Sequence, residues 1–377
     1  MNKEALIVSE ASMHTDTMFL NMGPQHPSTH GVLRLGLTVS GEVIAKAVPD
    51  VGYLHRGIEK LMETRTYNQG VVLADRLDYC SAMPNGLAIC LAAEKLMAVT
   101  APPRAQALRV LMCELNRIAS HLIFMGTYGI DIGALTPFLY AFREREMILD
   151  LFEMCCGGRL TYNYMRLGGV SNDIDDNWIA KCREFLEFFK PRVDEYDTLL
   201  SFNPIFRSRT QDVGLISAQT AKAWGLSGPN LRGSGVNYDV RKSDPYCGYD
   251  RFDFNVPLGQ TGSCWDRYYC RVQEMRQSVR IIEAALADIP AGEIMAKGLA
   301  KIPKPPAGEA YAHVEASRGD LGVFLASDGN AAPYRLHLRA PCFINLAVLQ
   351  EILVGNKVAD VVAILGSFDI VLGEVDR

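Results

Sequence analysis

The 377-residue sequence predicts an α+β protein in which a central helical bundle lies between small antiparallel β regions near the two ends. Residues 32–40 alternate apolar with other side chains, which is the period of a half-buried strand. Residues 104–126 place their apolar side chains at helical spacing instead. Strand-like runs return after residue 310, where a Ser-Arg-Gly-Asp turn separates two of them.

The N-terminal region is predicted to form a three-stranded antiparallel sheet. Strands are expected over residues 17–22 and 32–40, and a turn at Ser40-Gly41-Glu42 leads to a third strand over 43–48. Between the first two strands, residues 23–31 read Gly-Pro-Gln-His-Pro-Ser-Thr-His-Gly. We call this stretch the histidine loop.

The middle of the chain is predicted to be mainly helical. Helices are expected over 66–97, 104–126, 136–156, 175–200 and 265–289. The first is expected to break near Pro84 and the fourth to be interrupted near Pro191, while Pro102-Pro103 marks the start of the second. The third is expected to begin with Thr136 as N-cap and Pro137 in the first helical position. Residues 202–263 are punctuated by glycine and proline and are expected to be irregular.

The C-terminal part is predicted to mix strands and helices after an exposed linker at Lys301 to Pro306. Strands are expected over 311–316, 321–326 and 334–339. The chain therefore divides into four regions that are expected to form one compact unit. These are a β region with the histidine loop (1–57), a helical bundle (58–200), an irregular segment with a long helix (201–300), and an α/β region (301–377).

Composition excludes several classes of function. The net charge of −5 and the pI near 5.9 argue against nucleic acid as a partner, since such proteins need a basic surface. No apolar run approaches the roughly 18 residues of a membrane span. The N-terminus lacks the apolar core of a signal peptide, so the chain is expected to stay on the cytosolic side, where it could contact a membrane protein.

Ten cysteines could suggest disulfides or a metal site. None of them forms a Cys-x-x-Cys pair, which is the usual mark of structural zinc and iron–sulfur sites. They are interpreted as buried reduced thiols, and no metal ligand is predicted. The glycine-rich run 231–235 lacks the third glycine of a dinucleotide fingerprint, so nucleotide binding is not expected either.

The histidine loop is the most informative candidate for chemistry. Proline disfavours the helical region for the residue before it, so His26 and His30 are expected on a stiff loop between strands. Histidine exchanges protons near neutral pH, which suits a rigid loop to proton chemistry. The alternative is that both histidines cap turns or bond to the backbone.

Other candidates also have plain structural interpretations. Tyr79 could be a core residue at a helix start, and Asp131 could cap a helix end. The run Arg143-Glu144-Arg145-Glu146 is interpreted as a solvated helix face or a subunit contact.

Seven motifs, in order along the chain, resemble one known family. They are GPQHPSTHGVLR (23–34), LHRGIEK (54–60), DRLDY (75–79), PPRAQ (102–106), LRGSG (231–235), EMRQS (274–278) and GEVDR (373–377). The family is the 49-kDa-type subunit of respiratory complex I, the NADH–quinone oxidoreductase of bacteria and mitochondria. The resemblance runs from about residue 18 to the last residue.

The resemblance implies a fold similar to that of the large subunit of nickel–iron hydrogenases. Those enzymes hold their metals with two Cys-x-x-Cys pairs, whereas this chain has His55-Arg56-Gly57 and Gly373-Glu374-Val375-Asp376 in the corresponding regions. Because the ligands are absent, a hydrogenase activity is not expected. The resemblance implies that a quinone headgroup occupies the former metal cavity.

Residue roles follow from the resemblance. His30 and Tyr79 are expected to donate hydrogen bonds to the two quinone carbonyls, Asp131 is expected to pair with His30, and His26 is expected to line the cavity. Such donors would stabilise the negative charge that develops on the quinone oxygens. A change in the charge balance of the Asp131–His30 pair is the expected trigger for proton pumping.

Two arginines are expected near an electron carrier of a neighbouring subunit. Arg56 and Arg76 match arginines beside the terminal 4Fe-4S cluster, whose potential a positive charge would raise. Many relatives have a histidine, associated with the pH dependence of that cluster, where this chain has Thr161. That property is therefore not expected here.

The resemblance also implies the setting. The chain is expected to be a peripheral membrane protein on the cytoplasmic side, active only when assembled with the cluster-bearing subunit and the membrane subunit at the quinone entrance. Ubiquinone or menaquinone is the expected substrate, this chain ligates no cofactor, and iron–sulfur clusters and FMN belong to partner subunits. The alternative is a non-catalytic scaffold in complex I or in a related membrane-bound hydrogenase-like complex, with the histidine loop as a docking surface.

Overall fold

The computed structural model describes residues 17–26 and 31–377, and it confirms the α+β fold class. The N-terminal sheet has the order β1 (Thr17–Met22), β2 (Arg34–Ser40), β3 (Val43–Asp50), and both pairings are antiparallel. Leu35, Leu37 and Val39 of β2 are buried, as their alternation predicts. β1 has the predicted bounds, whereas β2 begins two residues later and β3 ends two residues later than the sequence predicts.

A long helix, α4, is the axis of the bundle. It comprises residues Pro103–Asp131. The helices before it in the chain are α1 (Ile58–Glu63), α2 (Tyr67–Ala74) and α3 (Ala82–Met97). It packs against α3, α5 (Thr136–Cys156) and α11 (Cys264–Ala287). The predicted helix over 104–126 is therefore confirmed but ends five residues later.

Three predicted details of the helices are wrong. The break in the first segment lies at 75–81 and not at Pro84, which occupies the first turn of α3, where its missing N–H has no intrahelical partner. Thr136 does not cap α5: Leu135 is the N-cap and makes no side-chain cap bond. Helix α6 (Asp176–Tyr196) continues through Pro191.

The continuity of α6 follows from its buried face. Phe185, Phe189 and Val193 are all buried on the two sides of Pro191. Burying side chains of this size contributes about 1.5–3 kcal/mol each, which offsets the roughly 3 kcal/mol that a proline costs inside a helix. The helix then widens into a π-turn at Asp197–Ser201.

The segment predicted to be irregular, 202–263, contains short helices. They are α7 (Pro204–Thr210), α8 (Ala218–Ala223), α9 (Gly228–Arg232), α10 (Val240–Ser243) and a 3-10 turn at Tyr249–Arg251. A two-residue hairpin pairs β4 (Met165–Arg166) with β5 (Gly169–Val170). These elements and α1 are too short to show a period in the sequence.

The C-terminal sheet confirms the three strands predicted there. It has the order β6 (Gly308–Ala316), β7 (Gly319–Ser327), β8 (Arg335–Arg339), all antiparallel. Four helices complete the chain: α12 (Pro341–Ala347), α13 (Leu349–Ile352), α14 (Val361–Ser367) and α15 (Leu372–Asp376).

The core forms two clusters that determine where the two ends of the chain meet. One cluster joins the helical bundle to the C-terminal sheet. The other joins the N-terminal sheet to the C-terminal helices, with Leu35 and Leu37 in the same cluster as Ile364 and Leu372. This second cluster brings the start and the end of the described chain to one side of the bundle. The division into four regions stays a prediction.

The ten cysteines are unpaired, and eight of them are buried. Within residues 17–26 and 31–377, no three His, Cys, Asp or Glu side chains are grouped as metal ligands would be. Among the helices that the structure describes, none combines the length and the apolar character needed to cross a membrane.

Candidate functional site

Three distant segments meet at the last helix, α15. The carboxylate of Asp376 accepts hydrogen bonds from the backbone N–H groups of Gly52 (2.8 Å) and Leu54 (2.6 Å). The Nδ1–H of His55 donates to the Asp376 carbonyl at 2.6 Å. These bonds fix the segment 51–57 against the C-terminal helix α15.

The segment that carries Tyr79 lies on another side of the same helix. A Cβ added to Gly373 would lie 2.6 Å from the Leu77 carbonyl oxygen, so only glycine allows this close approach. A Cβ added to Gly31, the last residue of the histidine loop, would lie 3.1 Å from Cδ1 of Leu372. The described end of the histidine loop and the Tyr79 segment therefore contact neighbouring residues of α15.

Tyr79 lies between α2 and α3 and is 42% exposed, so the interpretation as a core residue is wrong. Partial burial raises the pKa of its hydroxyl, with a further contribution from the Cys80 thiol. The hydroxyl consequently keeps its proton at neutral pH. A half-exposed, protonated phenol is a hydrogen-bond donor that a ligand can reach.

Beneath Tyr79 lies Arg318, in a segment whose sequence predicts an ordinary turn. Its guanidinium donates to Asp78 (2.9 Å), to the Ser120 hydroxyl (2.5 Å) and to the Asp369 carboxylate (2.9 Å). The side chain is buried, because the two-residue turn between β6 and β7 faces the bundle. No pattern in the sequence separates this turn from an exposed one.

Carboxylates outnumber the arginines in the buried cluster around Arg318. Asp78, Asp369 and Glu374 face two guanidiniums, those of Arg318 and Arg271, and the Arg271–Asp369 distance is 3.7 Å. Burial raises the pKa of Glu374 to about 7 and also raises that of Asp78. These raised pKa values favour a protonated carboxyl group in the cluster as the pH falls towards 7.

The structure describes only one of the two histidines of the histidine loop. His30 lies outside the described residues, so its predicted role stays a prediction. His26 is exposed and follows the turn that begins at Gly23, between β1 and β2 as predicted. At Gly23 the backbone φ is +90° and a Cβ would lie 2.1 Å from the Leu33 carbonyl oxygen, so glycine is required there.

Asp131 is the last residue of α4 and packs against the segment that carries Asp369. A Cβ added to Gly366 would lie 3.1 Å from Oδ2 of Asp131, and the Gly366 carbonyl accepts a bond from the Asp369 N–H at 3.1 Å. Asp131 therefore lies beside Gly366, three residues before Asp369, which belongs to the buried cluster around Arg318. Its pairing with His30 stays a prediction.

Arg56 and Arg76 are both exposed, on the two segments that contact α15. Thr161 lines a broad depression of about 700 Å³ together with Asn163 and Arg166. Behind this depression, Asp75 is buried and accepts a bond from the Asn163 N–H at 2.6 Å, and burial raises its pKa to about 6.

The charged run at 143–146 is only partly the solvated face that the sequence suggests. Arg143 and Glu146 are exposed, but Glu144 is fully buried, where it bonds to the Tyr196 hydroxyl and to Arg143. The interpretation as a solvated face is therefore wrong for Glu144. A carboxylate can be buried here because the phenol and the guanidinium satisfy its oxygens.

Comparison with known proteins identifies the family. The model of the 49-kDa subunit of respiratory-chain NADH dehydrogenase matches residues 131–304 and 297–377. The chain belongs to this family. A relative from Desulforamulus reducens is 54% identical over 365 residues, which are 97% of this chain and the whole of that protein. Relatives from Bacillus anthracis and Bacillus cereus (strain ATCC 14579) are each 52% identical over the same shares of the two chains.

All three of these relatives are named as one and the same subunit of NADH-quinone oxidoreductase. The family that the seven motifs predict is thereby confirmed over almost the whole chain. Membership in this 49-kDa family makes the chain a subunit of an oxidoreductase complex. The sequence analysis assigned no role to three charged residues of the site, Arg318, Glu374 and Asp376, because their partners lie 32 to 324 residues away along the chain.

Proposed function

We propose that this chain forms the quinone-reducing site of an NADH–quinone oxidoreductase, with the quinone headgroup against Tyr79. One observation carries the proposal. The half-exposed Tyr79, the described end of the histidine loop and the C-terminal helix α15 come together above the buried cluster around Arg318. The relatives are named as subunits of NADH-quinone oxidoreductase, so quinone reduction is the reaction proposed for this site.

The proposed reaction adds two electrons and two protons to a quinone to give a quinol. As electrons arrive, the carbonyl oxygens become strongly basic and take protons from nearby donors. Tyr79 supplies one proton, and the charge left on its oxygen is stabilised by Arg318, whose positive charge lowers the phenol pKa. His30 supplies the other proton, and Asp131 is the proposed carboxylate partner of its imidazolium.

Other subunits supply the remaining parts. In this proposal the electrons come from a 4Fe-4S cluster that a neighbouring subunit holds, near the exposed arginines Arg56 and Arg76. His26 lines the quinone cavity, and a membrane subunit admits ubiquinone or menaquinone from the bilayer. The chain would then be peripheral to the membrane on its cytoplasmic side. Loss of the Asp131–His30 charge balance on quinone reduction would couple the chemistry to proton translocation.

Chemical modification of the histidines tests this proposal. Diethyl pyrocarbonate should modify His30 in the assembled enzyme, and a quinone-site inhibitor should slow that modification at least about tenfold. His337 is the internal control, since it lies half-exposed on β8 and should react at the same rate with and without inhibitor. An unchanged rate at His30 would contradict the proposal and favour a scaffold whose histidine loop is a docking surface.

A further inference from the structure

His313, on β6, has a carboxylate against each of its two ring nitrogens. Its Nδ1 lies 2.9 Å from Oδ1 of Asp320 on β7, and its Nε2 lies 3.0 Å from Oδ2 of Asp244, which follows α10. The His313 side chain is 19% exposed, whereas that of Asp320 is 11% and that of Asp244 is 73% exposed. We call these three residues the Asp–His–Asp bridge. None of them belongs to the candidate quinone site.

The Asp–His–Asp bridge joins the hairpin of β6 and β7 to an exposed segment of the chain. Residues 242–245 are four exposed residues in succession. Both ends of this segment are anchored, since Arg241 is buried and the Tyr246 hydroxyl accepts a bond from the backbone N–H of Glu315 at 3.1 Å. Between these two anchors, the bond from the imidazole to Asp244 joins the exposed residues to the hairpin.

Both bonds of the bridge need a protonated imidazole. An imidazolium donates from both ring nitrogens, whereas a neutral imidazole donates from one and presents a lone pair at the other. The hydrogen bond with Asp320, together with that to Asp244, raises the pKa of His313 above its ordinary value, although partial burial opposes this. The two carboxylates therefore stabilise the imidazolium at pH values where an isolated histidine has already lost its proton.

The surroundings of the two carboxylates decide which bond is lost when the imidazole becomes neutral. Oδ2 of Asp320 accepts a bond from the Tyr238 hydroxyl at 3.2 Å and lies 3.9 Å from Nη1 of Arg339 on β8. Within the part of the chain that the structure describes, the Asp244 carboxylate is bonded to the imidazole alone. The Tyr311 ring also contacts the imidazole, and its phenol stays uncharged because partial burial raises its pKa. Asp244 is therefore the carboxylate that can turn away into water.

We propose that the Asp–His–Asp bridge is a pH-sensitive latch, which is closed while His313 is protonated and opens when the imidazole loses its proton. Opening releases Asp244 and the exposed residues 242–245 from the hairpin, while the bond to Asp320 remains. The hairpin carries Arg318 at its tip, two residues before Asp320, so the latch acts on the element that supports the cluster beneath Tyr79.

The direction of the pH dependence follows from the raised pKa of His313. The latch stabilises the closed segment fully below the ordinary histidine pKa of about 6.5, and this stabilisation is lost as the pH rises through the higher pKa of the folded state. The latch should therefore be closed in weakly acidic solution and open in alkaline solution. This proposal does not depend on the quinone chemistry.

Hydrogen exchange at the Asp244 amide in the purified full chain tests the latch. This N–H donates to the Val240 carbonyl at 3.0 Å, so it exchanges when the segment opens. In the His313→Gln chain, whose side chain does not titrate, it should exchange about two- to fivefold faster than in the unmodified chain at pH 6, the size expected for one exposed ion pair. At pH 8.5 the ratio of the two rates should approach one, because the latch is then open in both chains. Comparison at the same pH cancels the intrinsic pH dependence of exchange.

His337→Gln is the matched control. His337 lies half-exposed on β8 and pairs with Glu59, so its substitution should leave the exchange rate at Asp244 unchanged at both pH values. A second variant, Asp244→Asn, removes one of the two carboxylates at the imidazole. It should lower the pH at which the His313 ring titrates, as measured by NMR of the histidine-labelled chain.

Three results would each overturn the proposal. They are equal exchange rates in the His313→Gln and unmodified chains at pH 6, a rate ratio that is the same at pH 6 and pH 8.5, and an unchanged His313 titration in the Asp244→Asn chain. None of these measurements involves quinone turnover, so failure of the latch is distinguishable from failure of the proposed quinone site.

Discussion

The Tyr79→Phe enzyme should assemble normally and reduce quinone at least about 100-fold more slowly than the unmodified enzyme. Loss of one donor to a developing oxyanion typically costs 10²–10³ in turnover. The substitution should leave folding intact, because the side chain is 42% exposed and no buried group within residues 17–26 and 31–377 loses a bond. The measurement is quinone-dependent NADH oxidation, normalised to the amount of assembled enzyme.

Tyr311 provides a matched control for this prediction. It is also 42% exposed, but it lies on β6 in the C-terminal sheet, away from α15. The Tyr311→Phe enzyme should retain turnover within twofold of the unmodified enzyme. Similar losses in the two variants, or unchanged turnover in Tyr79→Phe, would show that the Tyr79 hydroxyl does not contact the quinone.

The Arg318→Leu substitution should destabilise the folded chain by about 3–5 kcal/mol, which is typical when one partner of a buried ion pair is removed. Asp78 and Asp369 would both lose the cation between them. The measurement is the free energy of unfolding of the full chain in denaturant. Arg318→Lys should recover part of the loss, because it keeps the charge but cannot bond to both carboxylates and to Ser120.

The pH dependence of this loss has a defined sign. Without the guanidinium, whose charge lowers the pKa of Asp78, that pKa in the folded state must rise further above its unfolded value. A carboxylic acid with a raised folded pKa loses stability as the pH increases through that pKa. The destabilisation should therefore be larger at pH 8 than at pH 5.5.

An exposed arginine provides the control for Arg318. The side chain of Arg335 is 44% exposed and pairs with Glu59 and Glu63 on α1, so Arg335→Leu should cost no more than about 1 kcal/mol. A loss below 1 kcal/mol in Arg318→Leu, or a loss that does not grow with pH, would contradict the described cluster.

The sequence predicts elements wherever a single period extends over many residues. Helix α4 (Pro103–Asp131) contains the residues 104–126 whose apolar spacing predicts it, and both sheets lie where alternating runs predict them. The prediction fails where tertiary contacts decide the local structure. Helix α6 continues through Pro191 because its buried face extends to both sides, and the short helices of 202–263 follow no period.

The site was less predictable than the fold for a physical reason. The residues alone left Tyr79 and Asp131 with plain structural interpretations, and only the family resemblance singled them out. Arg318 belongs to a two-residue turn, a position that is ordinarily exposed. Its buried role depends on Asp78, which is 240 residues away in the sequence, and no local pattern records such a contact.

A structure of the assembled enzyme with quinone bound tests the central claim most directly. We expect a quinone carbonyl oxygen about 2.7–2.8 Å from the Tyr79 hydroxyl oxygen, the usual length of an O–H···O bond. The headgroup should lie between Tyr79 and the histidine loop, against α15. A headgroup bound elsewhere, or side chains that close the space beside Tyr79, would contradict the account.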